Sequence, residues 1–124
     1  MPNPETRNAT HHTMRTISEL MSLSGRTALI TGAAGHIGAA IAEGLAEAGA
    51  TVALADRRLA ALEDRAQRMP HAQIATFEVE LADEASVRAL PAQVVERCKG
   101  LDIIVNCAAF VGTTELEGWA SPFE

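Results

Sequence analysis

The sequence predicts an α/β fold: one half of a doubly wound parallel sheet with helices on both faces. Three observations predict it. Short apolar runs rich in β-branched residues recur, at Thr27–Thr31, Thr51–Ala55 and Asp102–Asn106. Alanine- and leucine-rich stretches of helical length separate them. Each intervening stretch is long enough for a crossover between parallel strands, which tight hairpin turns cannot provide.

The elements follow in order. Residues 1–22 are polar, hold two prolines, and are expected to form an N-terminal tail outside the core, with order beginning near Leu23. Residues 23–124 are expected to form one partial dinucleotide-binding domain. Ser24-Gly25-Arg26 turns into a first buried strand, Thr27–Thr31. A glycine-rich turn over 32–38 leads into a helix over 37–48. Ile37, Ile41 and Leu45 recur there every fourth residue and predict its buried face. Gly49 supplies the helix C-terminal stop. A second strand, 51–55, ends at Asp56. A second helix over 58–68 stops before Pro70. Gln73–Val79 reads as a third strand. Asp83 is placed to cap a third helix over 84–97, ended by Gly100, with Pro91 expected to kink or split it. Asp102–Asn106 reads as a fourth buried strand, and 107–124 as loop. Right-handed crossovers give strand order 3-2-1-4, with the sheet truncated after the fourth strand.

Composition bounds the function. The chain has 124 residues, 48% hydrophobic, with a formal charge of -6. No basic surplus exists to neutralise phosphate backbones, so no nucleic-acid partner is expected. No apolar run reaches the roughly 18 residues of a membrane span, so no membrane partner is expected either. Met14 is a possible second start, and the first 22 residues lack a secretory pattern. Cys98 and Cys107 are too far apart for a close metal pair, and a reducing, cytoplasmic setting is expected. His11 and His12 have no spaced partner ligands and read as polar tail rather than metal site.

The chemistry-bearing segment is Thr31-Gly32-Ala33-Ala34-Gly35-His36-Ile37-Gly38, between strand and helix. Gly32 can take a conformation that side chains block, turning the chain off the strand end. Gly35 leaves room for a diphosphate to approach the backbone. Gly38 lets the helix lie close to the sheet. The amides at the helix start, with the positive end of its dipole, suit an anionic diphosphate. This is the Rossmann-type dinucleotide turn.

Asp56 lies 18 positions after Gly38, at the end of the second strand, where the adenosine ribose should sit. A carboxylate there accepts hydrogen bonds from both ribose hydroxyls. It also repels a 2′-phosphate: like charges about 4 Å apart cost up to roughly 4 kcal/mol at a surface-like dielectric. NAD is therefore expected over NADP. Arg57 and Arg58 argue the other way, since a neighbouring guanidinium can neutralise that phosphate. Asp56 can instead, or as well, cap the second helix.

Thr31–Gly38, Asp56, Glu80-Leu81-Ala82-Asp83 and Asn106-Cys107-Ala108-Ala109 together resemble the short-chain dehydrogenase/reductase family, from about Leu23 onward. The resemblance implies cofactor contacts from Gly32, Ala34, Gly35, His36, Ile37, Gly38, Asp56 and Arg57. It further places Glu80 and the Leu81 backbone at adenine, and Asn106 and Ala108 along the cofactor. The pattern differs in three places. Its middle glycine falls on His36, with Gly35 one position earlier, a spacing similar to that of sugar epimerases. Glu80 stands where the family has Asp. Cys107 replaces a second Asn, as either a redox-sensitive thiol or a packing residue.

In that family a Ser, a Tyr and a Lys four residues after the Tyr carry catalysis. This chain holds no Tyr, and its single Lys, Lys99, precedes the fourth strand. Thr113, Thr114 and Ser121 lack a paired base and read as loop residues. No catalytic residue is assigned. The resemblance implies an oxidoreductase that moves hydride between a nicotinamide cofactor and an alcohol or carbonyl substrate, here as its N-terminal part, with a homo-oligomeric parent. A catalytically inactive nucleotide-binding module and a sugar epimerase/dehydratase-like protein are the alternatives. Ile103, Ile104 and Val105 are expected to form an exposed apolar edge that makes the chain marginally stable or poorly soluble.

Overall fold

The structure, a computed structural model, describes residues 14–109. The expectations for residues 1–13, including His11 and His12, and for 110–124, including Thr113, Thr114 and Ser121, lie outside the described residues.

The elements are α1 (Ile17–Met21), β1 (Thr27–Thr31), α2 (His36–Glu47), β2 (Thr51–Asp56), α3 (Leu59–Gln67), β3 (Ile74–Glu78), α4 (Glu84–Cys98) and β4 (Ile103–Asn106). The four strands form one parallel sheet in the order β3-β2-β1-β4, as the sequence predicts.

Side chains alternate across a strand, so each strand feeds both faces. Ala28, Ile30, Val52 and Leu54 point to one face, where Ala42 of α2 and Leu62 of α3 cover them. Leu29, Ala53, Ala55 and Phe77 point to the other, under Leu90 and Val94 of α4. Helices thus lie on both faces, and burying each of Ile30, Leu54 and Leu62 contributes roughly 1.5–3 kcal/mol.

Several expectations change. The helix after β1 does not bury Ile37, Ile41 and Leu45 as its contact face. Its buried residues are Gly38, Ala39 and Ala42, while Ile37 is 73% exposed. Close approach of a helix to the sheet needs small side chains at the contact. The larger residues are left on the shoulders, where Leu45 packs only partly against the core.

Pro91 does not split α4, which runs unbroken from Glu84 to Cys98. Its stop comes at Lys99, in the left-handed conformation (φ 65°), one residue before the expected Gly100. The Asp83 cap forms as expected, accepting from Ala85 N–H at 3.1 Å. Gly49 (φ 98°) follows the last turn of α2, and its N–H reaches the Ala46 carbonyl at 2.9 Å.

The end of the expected tail is helical. Thr16 and Glu19 form a reciprocal capping box that starts α1, and none of that helix is buried. The fourth strand forms but is not buried: its residues alternate between half-buried and exposed.

Candidate functional site

In a parallel sheet the connections leaving neighbouring strands for opposite faces open a crevice at the carboxyl ends of the strands. Here that switch lies between β1 and β4. The turn after β1 leads to α2 on one face; β4 arrives from α4 on the other. The glycine turn and the Asn106–Ala108 segment meet at this point.

Their contact is closer than a turn alone requires. Gly32 sits at φ 67°, and a Cβ there would lie 2.7 Å from the Ala108 backbone. Thr31 Oγ1 accepts from Ala108 N–H at 3.4 Å and ties the same two segments together. Gly32 is therefore required twice, for its conformation and for the room that the β4 exit takes. Gly38 is equally constrained: its Cβ would meet the Gly32 carbonyl oxygen at 2.5 Å. It brings α2 against the glycine turn itself rather than only the sheet. Gly35 is less crowded: a Cβ there would lie 3.3 Å from the Gly32 carbonyl oxygen and near nothing else.

Gly35 is the N-cap of α2, and no side chain caps the first turn. The amides of His36, Ile37 and Gly38 open that turn with the helix dipole behind them, an arrangement suited to an anion. His36 and Ile37 are exposed at the same mouth. The residues after the turn are helical from His36 to Glu47.

Asp56 ends β2 beside this turn with its side chain only 11% exposed. Its Oδ2 accepts from Ala34 N–H at 3.3 Å, and its Oδ1 accepts from Arg58 N–H at 3.1 Å. The Arg58 Nε lies 3.5 Å from Oδ1. The helix-cap alternative for Asp56 does not hold. Arg58 occupies the cap position of α3 without a side-chain bond, and Asp56 closes a local turn two residues earlier. Arg57 is exposed, and Arg58 rather than Arg57 is the partner of Asp56. From α3, Arg65 reaches the Ala34 carbonyl at 3.5 Å.

Glu80 and Leu81 follow β3 at the same end of the sheet. Glu80 Oε1 accepts from Ala82 N–H at 3.0 Å, and Glu80 N–H donates to Ser86 Oγ at 3.1 Å, so both groups of Glu80 brace the turn into α4. Leu81 is 46% exposed. Asn106 pairs in register with Thr31 at the end of β4, and both it and Ala108 are exposed. Cys107 packs partly buried against the α2–α3 face, in accord with a packing role. The structure thus brings Gly32, Ala34, Gly35, His36, Ile37, Gly38, Asp56, Asn106 and Ala108 to one rim, with Glu80 and Leu81 at its far edge.

Sequence reasoning did not assign Thr31, Arg65 or Ser86. The Asp-x-Arg spacing at Asp56 and Arg58 was a usable signal for their turn. Nothing local announces Arg65, which arrives through the packing of α3. An open cleft of about 660 Å³ lies at the other end of the sheet, lined by residues such as Ser24, Ala50, His71 and Lys99. It holds none of the candidate residues. No described helix is long and apolar enough to cross a membrane.

A sequence model of the family described as short chain dehydrogenase matches residues 26–121. The chain is 42% identical over 89 residues to a sorbitol dehydrogenase of Cereibacter sphaeroides, covering 72% of this chain and 34% of that protein. It is 38% identical over 99 residues to a rhamnolipids biosynthesis 3-oxoacyl-[acyl-carrier-protein] reductase of Pseudomonas aeruginosa, covering 79% and 39%. A solved short-chain type dehydrogenase/reductase from Mycobacterium marinum superposes with TM-score 0.69 at 34% identity, covering 73% of this chain and 37% of that one. A Pseudomonas aeruginosa protein solved as an NADP active-site complex gives 0.67 at 40%, with the same coverage. The chain spans well under half the length of each of these proteins. None of these four is a sugar epimerase, so the alternative drawn from glycine spacing gains no support. The matched stretch holds all three crossovers and the whole rim just described, and the chain belongs to the short-chain dehydrogenase family.

Proposed function

We propose that this chain is the cofactor-binding part of a nicotinamide-dependent oxidoreductase acting on a small alcohol or carbonyl substrate. The uncapped start of α2 behind the glycine turn, with Asp56 beside it, carries the reading. In it, the amides of His36, Ile37 and Gly38 bind the diphosphate, and Gly35 keeps the approach open. Asp56 orients the adenosine ribose through its remaining lone pairs. Arg57 flanks that ribose. Glu80 and the Leu81 backbone border adenine; Asn106 and Ala108 line the segment toward nicotinamide. When bound, the dinucleotide accepts or donates hydride. The chain's own residues bind and orient it. A full-length homo-oligomer in the cytoplasm fits the same reading.

Titration of the purified chain with NADH and NADPH, followed by fluorescence, tests it. Binding of both is expected, with NADH tighter, and Gly38→Val should abolish binding by pushing α2 off the turn. Absence of binding by either nucleotide overturns the reading. A purely nucleotide-binding role without catalysis is distinguished by assaying the chain's longer parent for hydride transfer.

A further inference from the structure

We infer that the free edge of β3 is a strand-pairing surface for a second copy of this chain, and that Arg97 holds it shut. β3 is an outer strand of the sheet. The backbone groups of a strand alternate in direction, and the Gln73 carbonyl and the Val79 amide both bond β2. Odd-numbered residues therefore face β2, and Ile74, Thr76 and Glu78 turn their N–H and C=O groups off the sheet. Thr76 is the middle residue of this five-residue strand. Such a row is self-complementary. A two-fold axis at Thr76 sets it antiparallel to its own copy, Thr76 against Thr76 and Ile74 against Glu78.

Arg97 stands on the centre of that row. It leaves the last turn of α4, lies over Phe77 with Cζ 4.6 Å from the ring centroid, and donates from Nη1 to the Thr76 carbonyl at 2.8 Å. Phe77 is 4% exposed, packed with Leu90 and Val94, so the guanidinium rests on a fixed ring. Two obstacles to pairing follow. The Thr76 carbonyl, which an incoming strand needs at its centre, is already taken. A strand laid over this edge would also strip water from a full positive charge, which costs more than one hydrogen bond returns. The neighbouring cations stay on the helix: Arg88 meets Glu84 at 2.7 Å, and Lys99 bonds the Glu96 carbonyl at 3.0 Å.

Amide exchange of the 124-residue chain at rising concentration, with sedimentation to count copies, tests this. In the unaltered chain the outward amides of Ile74, Thr76 and Glu78 should stay in fast exchange. In Arg97→Ala they should gain protection together as dimers form. The midpoint should fall about tenfold or more below any concentration that protects them in the unaltered chain, the weight of one hydrogen bond from a charged donor. Arg97→Gln keeps a donor and loses the charge, and should fall between the two. Arg97→Lys should stay close to the unaltered chain. Arg88→Ala removes the same charge from an exposed site on the same helix and should change nothing at β3. The Asp102 amide bonds β1, so Ile103 and Val105 are the outward residues of the other edge strand, β4. Association of Arg97→Ala that protects only those two would overturn the inference. So would an Arg97→Ala chain that melts normally and keeps the β3 amides in fast exchange. Should Arg97→Ala not fold, Arg97→Gln decides in its place: β3 protection gained supports the inference, and none gained overturns it.

Discussion

β2 and β4 flank the same strand, pairing with β1 over five and four residues respectively, yet they live in different surroundings. β2 is buried along its whole middle, with α2 and α3 on one face and α4 on the other. β4 carries an equally apolar run, Ile103-Ile104-Val105, but Ile104 is 54% exposed. Both are strands because β-branched residues fit a pleated surface and because β1 offers a free hydrogen-bonding edge on each side. Only one is core. Strand identity is a local property of the run; burial is supplied by what crosses over it. On the β2 flank the crossovers are within the described residues, and on the β4 flank Ile104 has no described cover.

The largest expected effect tests the β2 flank. Leu54 is fully buried, so Leu54→Ala should cost about 2–5 kcal/mol in denaturant unfolding. A loss under about 1 kcal/mol would mean that this flank is not the core it looks like. Gly32→Ala comes next, because Gly32 joins the end of β1 to the β4 exit. A side chain there meets the Ala108 backbone and must adopt φ 67°, so strain and overpacking together should cost about 2–4 kcal/mol. Amide exchange should show the β4 exit loosening more than β2. Uniform loosening would place the strain in the β1–α2 turn instead.

Ile104→Thr should sit at the small end, within about 0.5 kcal/mol, because an exposed residue gives up little on replacement. It should raise the concentration at which the chain stays monodisperse in light scattering, since an apolar open edge invites association. A loss comparable to Leu54→Ala would show that Ile104 is covered, and the contrast between the flanks would vanish.

The same contrast marks what the sequence discloses. The order 3-2-1-4 was legible because apolar runs, helical spacers and right-handed crossovers leave few alternatives. The glycine turn and Asp56 were legible because their chemistry is tied to a strand end and a helix start. The buried face of α2 was not. Ile37, Ile41 and Leu45 have suitable spacing, but closeness to the turn selects Gly38, Ala39 and Ala42, and size at a contact is not visible in periodicity. The exposure of β4 was half legible: its apolar run reads as a buried strand, and its place at the edge of the 3-2-1-4 order says otherwise. Arg65 on Ala34 O joins residues 31 positions apart, and no local pattern encodes that.

The last and smallest effect concerns how β4 is held at its other end. Asp102 Oδ2 accepts from Thr27 N–H at 2.8 Å, and Arg26 Nη1 lies 3.3 Å from Oδ1. The Thr27 amide, foremost, and then the Arg26 guanidinium hold the Asp102 carboxyl below its ordinary value, against the opposing effect of burial. A carboxyl depressed in the folded state stabilises it above the ordinary carboxylate range, and that stability is lost as pH falls through the lowered value. Acidification should therefore lower the amide protection, taken relative to the intrinsic exchange rate at each pH, at Thr27 and along β4 before β2 responds. Asp102→Asn should remove this acid-dependent step while leaving β2 exchange unchanged. Added salt should weaken the Arg26 contribution, which is solvent-exposed, more than the Thr27 hydrogen bond. Protection that falls on both flanks at the same pH would show that β4 is not held separately, and that the two sides of β1 open as one unit.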